Sequence, residues 1–264
     1  MGKIVEGFTR RRQELFSTRS LSSSSSQPVV ELREDLLLPQ HSKAYFDRFR
    51  DPLDEIATNT DHSRLCFVSR SELGGPLHAA THAYYFSGGL SELQEQRSKE
   101  DTTFENTNDL HAYIHSQQSS VYVEAPLVKE YSDLVVGLDN ITVRPGDEIK
   151  NNYSVLEIRR YNLKLGYDTV PKFLEIFGAG LPSKLKTQDS TTSLMTLLYS
   201  EVGRLNEVIE IWSHGEGVPA MERSRVAARK AQEWRGAIAS IADLAIEFRS
   251  TIHRPILAPC HVPK

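Results

Sequence analysis

From Tyr153 to Tyr161 the side chains alternate, with Val155, Glu157 and Arg159 on one face and Leu156, Ile158 and Arg160 on the other. That is the period of a strand. Gly166 breaks it. Val170, Phe173, Leu174 and Phe177 then predict a short amphipathic helix, which Gly178, Gly180 and Pro182 are expected to end. Leu194 to Tyr199 and Glu207 to Trp212 read as a hairpin with Gly203 in its turn. A long helix is predicted from Pro219, a residue suited to a first helical turn, with Trp234, Ile238, Ile241 and Ala245 on one face. Arg249 to Ile256 reads as a last strand, with Pro255 confining its end to a sheet edge.

The same order occurs earlier in the chain. Val29 to Glu34 predicts a strand and His41 to Ala57 a helix. Arg64 to Arg70 and His78 to Phe86 predict strands around a Gly74-Gly75-Pro76 turn. Leu90 to Ser116 reads as mostly helix and Ser120 to Ala125 as a strand. An offset of 126 residues aligns the two stretches without gaps: Glu31-Leu32-Arg33 on Glu157-Ile158-Arg159, Tyr85-Phe86 on Ile211-Trp212, and Arg97-Ser98-Lys99 on Arg223-Ser224-Arg225. The expectation is an α+β fold of two tandem ferredoxin-like repeats. Each sheet has one face covered by helices, so the other must be buried against its counterpart. Two such sheets facing each other form the α/β barrel usually made by dimers, here a pseudo-dimeric barrel in one chain. The expected organisation is a disordered presequence at 1–27, a first repeat at 28–127, a linker at 128–151 and a second repeat at 152–264.

Charge sets the first 27 residues apart. They carry Lys3, Arg10, Arg11, Arg12 and Arg19 against Glu6 and Glu14, a balance of +3, whereas the rest of the chain is −7. Serines at 17, 20 and 22–26 accompany the arginines. An Arg- and Ser-rich, acid-poor start reads as an organelle transit peptide, mitochondrial ahead of chloroplast. A secretory signal would need an uninterrupted apolar core, and Glu6 spoils the myristoylation reading of Met1-Gly2. The net charge of −4 argues against a nucleic-acid partner. No apolar run is long enough for a transmembrane helix. With only Cys66 and Cys260, a disulfide scaffold is excluded.

No strong catalytic motif emerges, and no cofactor is expected. Gly215-Glu216-Gly217 lacks the third glycine of a dinucleotide fingerprint, and Ser87-Gly88-Gly89 is not a nucleophile elbow. His111 and His115 lie four apart on a predicted helix, but nothing completes a metal site. His78 and His82 share one face of a strand; if that face points into the barrel, they and Tyr84 could line a ligand pocket. Cys66 reads as a small buried residue. Same-face Glu31–Arg33 and Glu157–Arg159 pairs read as structural. Arg223, Arg225, Arg229, Lys230 and Arg235 make the long helix basic, a solvated face by default.

Val155 to Gly166 (VLEIRRYNLKLG) resembles the opening strand of the NIPSNAP domain, with Leu165 in place of that pattern's proline. His82 to Gly89, Glu210-Ile211-Trp212 and Arg223-Ser224-Arg225 are similar to later parts of it, as is the tail from Ile252 to Pro263. The resemblance implies a mitochondrial protein built from tandem barrel-type domains, without catalytic activity. It further implies import into the matrix, accumulation on the mitochondrial surface after depolarisation, recruitment of autophagy receptors and a link to vesicular traffic. Protein partners, autophagy receptors and modifiers among them, and a homo-oligomer are thus open. Tyr131 and Leu134, flanked by acids in the linker, fit the pattern by which a short segment adds a strand to an autophagy modifier. The reading is therefore a non-enzymatic interaction protein. The rival is a small-ligand-binding protein, or a cofactor-independent monooxygenase or haem-handling enzyme, with its site inside the barrel at His78, His82 and Tyr84.

Overall fold

The structure is a computed structural model and describes residues 26–50, 64–102, 108–141, 143 and 154–257. The transit-peptide reading of 1–27 lies outside these apart from its last two residues. In chain order the elements are β1 (Val29–Leu37), α1 (Ser42–Arg50), β2 (Arg64–Leu73), β3 (Ala79–Phe86), α2 (Gly89–Thr102), α3 (Asn108–His111), β4 (Ile114–Glu124) and α4 (Pro126–Glu130). Then come β5 (Val155–Leu163), α5 (Thr169–Thr187), β6 (Thr192–Val202), β7 (Glu207–His214), α6 (Val218–Lys230), α7 (Gln232–Ala242) and β8 (Ala245–Leu257).

The eight strands close into one antiparallel barrel in the order β1-β3-β2-β8-β5-β7-β6-β4. Alternation sends one face of every strand inward. Val30, Leu32, Leu156, Ile158, Ile209 and Ile211 meet in one buried cluster inside. The other face turns outward beneath the helices, where Phe173, Phe177, Trp212 and Trp234 pack. The segment after α4 closes the barrel at the end where β2 and β6 begin. Leu138 and Ile141 are buried there, Gly137 N–H donates to Met195 O (2.9 Å), and Val143 N–H to Leu65 O (3.4 Å).

Several expectations are corrected, each by tertiary context. Helix α5 runs through Gly178, Gly180 and Pro182 to Thr187. Its buried stripe of Phe173, Phe177, Leu181 and Leu185 outweighs local helix-breaking propensity. Gly180 is a contact residue: a Cβ there would come within 2.5 Å of the Ala237 Cβ on α7. Gly180→Ala is therefore expected to cost about 1–3 kcal/mol by overpacking, which urea unfolding would register. The long second helix is broken at Ala231, whose extended backbone (φ −75°, ψ 104°) separates α6 from α7, and Ala245 opens β8. The first-half helix is shorter than expected, ending at Thr102, because β4 begins at Ile114. The polar run from His115 to Ser119 hid this strand: it is exposed and pairs only with β1. His111 and His115 therefore stand on different elements. Strand β8 as a whole is not an edge strand, since it pairs with β5 as far as His253 and with β2 from Ile252 to Leu257; Pro255 lies beyond the last β5 pair and faces Ser69 on β2, with a register shift beside that pair.

The gapless offset of 126 residues does not hold between β3 and β7. Glu31 pairs with Tyr84, and Glu157 with Trp212. The partner of Trp212 across the repeat is thus Tyr84, 128 residues away, rather than Phe86.

Candidate functional site

Each half buries a glutamate at the same place on the outer face of its first strand, and the two are held alike. Glu31 accepts from Ser119 Oγ (2.6 Å), Arg33 (3.4 Å) and Arg97. Glu157 accepts from Ser250 Oγ (2.7 Å), from Arg159 through Nε and Nη2 (2.9 and 3.0 Å), and from Arg225 (2.5 Å). Arg33 stacks over Tyr84, as Arg159 does over Trp212. By these contacts Arg97 corresponds to Arg225, not to Arg223. The Glu–Arg pairs read from the strand pattern are the centres of these clusters.

The second-half cluster is saturated. His214 is held between Thr192 Oγ1 (2.9 Å) and Glu157 (3.4 Å). Glu210 accepts from Trp212 Nε1 (2.5 Å) and from the Tyr161 hydroxyl. Burial would raise the Glu157 carboxyl, but His214, Arg159 and Arg225 together hold it well below the usual carboxylate range. Lys184, only 3% exposed, lies over the rings of Trp212 (3.9 Å) and Trp234 (4.9 Å). Burial, helped by Arg159, pushes its amine down to about 7. Between that value and the ordinary 10.5 the unfolded chain binds the proton that the folded chain has released, so stability rises with pH. An increment of about 1 kcal/mol per pH unit is expected from pH 7 to about 8.5, short of the ordinary thiol value above which buried Cys66 contributes the opposite slope. Lys184→Met should lose this slope in urea unfolding measured across that range.

The first half differs at the same two strand positions. Asp35 stands where the second half has Tyr161, and His82 where it has Glu210. The Tyr45 hydroxyl of α1 donates to Asp35 Oδ2 (2.5 Å) and lies 2.7 Å from His82 Nε2. Having given its proton to Asp35, Tyr45 accepts from His82 Nε2–H, which leaves His82 Nδ1 as a bare lone pair. Among the described residues that buried nitrogen has no hydrogen-bond partner. Gln117 holds the other Asp35 oxygen (2.7 Å). Burial pushes His82 down to about 4 against the pull of Asp35, so the ring is neutral at physiological pH. Phe49 (5.1 Å) and the parallel ring of Tyr84 (6.2 Å) flank it.

His82 and Tyr84 therefore share one face, but that face lies under α1 and not inside the barrel. The reason is register: they pair opposite Arg33 and Glu31, whose face is the helix-covered one. His78 precedes β3, half-buried, and its carbonyl accepts from Leu37 N–H (2.7 Å). The structure does not bring it to His82. Asp35 and Tyr45 were missed by the sequence reading. The signal was the same-face series Glu31, Arg33, Asp35, too polar for an ordinary covered strand face. The barrel interior is polar toward one end, where Arg160 bridges Glu34 (3.0 Å) and Glu207 (3.5 Å) and Tyr122 donates to Glu207 (2.5 Å). His253 is satisfied there by Ser69 (3.3 Å) and Thr251 (2.9 Å). Cys66 is buried, its thiol pushed up to about 12 by burial. Tyr131 and Leu134 form a tight turn in which the N–H groups of Leu134 and Val135 both donate to Tyr131 O (2.8 Å each). Tyr131 is half-buried against the second-half core and Leu134 is exposed. Among the described residues no group of three or more His, Cys, Asp or Glu side chains could hold a metal ion, and no helix is long and apolar enough to cross a membrane.

No family model matches the chain, and no curated protein matches it. Solved structures do. A provisionally assigned monooxygenase from Lactobacillus acidophilus NCFM superposes with a TM-score of 0.58 at 8% identity, over 88% of this chain and 96% of its own. An anthrone oxidase-like protein does so with a TM-score of 0.56 at 10% identity, over 89% and 93%. A NIPSNAP-like domain protein from Burkholderia xenovorans aligns with 43% of this chain and 91% of its own, at 21% identity and a TM-score of 0.33. The class is thus a mixed α/β fold with an eight-stranded antiparallel barrel, like that of the first two proteins. This corrects the expectation of a protein without enzymatic activity: the neighbours that span nearly the whole chain carry oxygenase and oxidase names.

Proposed function

We propose that the protein is an oxygenase-type enzyme that uses O2 directly on a small, acidic, electron-rich substrate such as an anthrone, with His82 as the base. The observation that carries this is the bare Nδ1 of His82, a buried acceptor braced from behind by Tyr45 and Asp35. A substrate C–H or O–H proton passes to Nδ1, and the resulting imidazolium is stabilised by Asp35 through Tyr45. The carbanion or enolate left behind reduces O2. Overall a CH2 group and O2 give a carbonyl and water, so atoms and electrons balance without a further reductant. Arg33 and Tyr84, at the rim of the same face, suit an aromatic oxyanion. The names of the spanning neighbours support the reaction class. The test is oxygen uptake by the purified full chain with anthrones and quinol-like phenols. No uptake above a heat-treated control would remove the proposal.

The two halves belong to this reading as tandem ferredoxin-like repeats of NIPSNAP type, supported by the matching β1–β3 and β5–β7 registers and the twin Glu–Arg–Arg–Ser clusters. A mitochondrial location is likewise proposed, supported by the Arg- and Ser-rich start. Fractionation of cells expressing a C-terminally tagged chain tests it.

A further inference from the structure

The first part of β8 carries a feature that the proposed chemistry does not use. Residues Ala245 to Ser250 pair with β5 on one side, Phe248 opposite Tyr161 and Arg249 opposite Arg160. On the other side β2 reaches only to Leu73, opposite Ile252. Among the described residues no strand covers that second side; Gly74 lies against the Ser250 carbonyl, where a Cβ would come within 2.5 Å of it, so the open edge is 245–249, along which every other residue turns its N–H and C=O outward. Natural edges are blunted with charge, proline or bulges. The corresponding free stretch of β4, His115 to Ser119, is polar and begins at a bulge, where Leu36 pairs with Ser116 and Leu37 with Ile114. The β8 edge instead exposes Ile246 (71%) and Phe248 (54%). Beside it, Lys164 N–H donates to Leu244 O (2.8 Å), and exposed Leu165 and Tyr167 follow in the same loop.

We propose that this edge pairs with the same edge of a second copy of the chain, giving a two-fold symmetric dimer. The argument for a copy of itself is charge register. Along Ile246-Glu247-Phe248-Arg249-Ser250 the two charged residues flank Phe248 with opposite sign. An antiparallel pairing with the axis through Phe248 sets each Phe248 against Phe248 of the partner subunit. It sets Glu247 against Arg249 of the partner subunit, and Arg249 against Glu247 of the partner subunit. Shifting this register by two residues breaks both ion pairs. Glu247 and Arg249 are half-exposed in the single chain and lie 3.6 Å apart, with Glu247 also accepting from Asn162 (2.9 Å), so the exchange of partners replaces two weak intrachain pairs, one in each subunit, by two cross-strand pairs. An isologous interface of this kind closes on itself and leaves no edge for a third copy. It stands apart from His82, which lies on the other half of the barrel, and does not depend on the proposed reaction.

Sedimentation equilibrium of the full chain across the micromolar range tests the proposal. A dimer is expected, tighter at low salt. Glu247→Arg alone, or Arg249→Glu alone, places like charges opposite each other and is expected to weaken the dimer at least tenfold. The double exchange Glu247→Arg with Arg249→Glu restores the complement and should bring the association back to within a fewfold of the original. Phe248→Cys, tested against wild type as background, should cross-link to itself under mild oxidation. Unchanged melting temperatures would show that the variants fold. A monomer throughout overturns the proposal and leaves the edge to be covered by a segment of this chain outside the described residues. A dimer indifferent to the single reversals, or one that the double exchange fails to rescue, overturns it as well.

Discussion

Glu157→Ala is expected to destabilise the protein by about 3–5 kcal/mol, the largest single effect foreseen for the fold. The carboxylate is fully buried and accepts from Arg159, Arg225, Ser250 and His214. Removing it leaves Arg159, whose side chain is 12% exposed, with the longer 3.7 Å contact to Glu210 and the face of Trp212. A buried guanidinium robbed of its main partner is far costlier than the loss of an exposed ion pair. Glu31→Ala removes the equivalent carboxylate, but Glu31 holds Arg33 by one 3.4 Å bond where Glu157 holds Arg159 by two of 2.9 and 3.0 Å, so a smaller loss is expected. Urea unfolding of the two variants should preserve that order; equal losses would mean that the two clusters contribute alike. The same cluster sets an acid limit. The Glu157 carboxyl is depressed in the folded chain, so its contribution is complete above the ordinary carboxylate value near 4.5 and is lost progressively as pH falls below it. Glu157→Gln should remove this part of the acid dependence while keeping the side-chain shape.

His82→Gln is expected to reduce turnover by about 10²–10⁴-fold, the range over which a positioned general base acts. Its fold should hold, because the wild-type ring already leaves a buried nitrogen unsatisfied and glutamine adds no charge. The pH profile distinguishes a base from a structural residue. Burial holds His82 near 4, so kcat/KM should fall as pH drops through about 4 at temperatures where the protein stays folded, and the residual activity of His82→Gln should lack that step while its melting temperature keeps the acid dependence set by Glu157. Tyr45→Phe removes the hydroxyl between His82 and Asp35. It should lower kcat with little change in KM, because Tyr45 positions the base without touching substrate. Activity in His82→Gln equal to wild type would exclude His82 from the reaction.

The strands of the barrel were legible because alternation is a local property. Val155 to Tyr161 and Arg64 to Arg70 needed only their own residues to be read. The helices were less so. Gly178, Gly180 and Pro182 signal a helix end locally, yet α5 continues because its stripe of Phe173, Phe177, Leu181 and Leu185 is buried and α7 needs the missing Cβ of Gly180. The polar start of β4 has no alternation to read, since it is exposed and pairs only with β1. At the candidate site, His82 and Tyr84 were visible as one face of a strand. Asp35 and Tyr45 were not, because they arrive from β1 and α1 and meet His82 only after the sheet has formed.

Order of elements, the two alternating faces of each strand and the paired Glu–Arg positions are properties of the sequence by itself, because hydrophobic period and local chemistry determine them. Which face became the interior, the two-residue shift between β3 and β7, the closure of β8 against β2 and the tautomer of His82 were decided by the tertiary structure. Each depends on which residue stands opposite another across a strand pair or beneath a helix, and that is set by the burial of the whole barrel rather than by any segment of it.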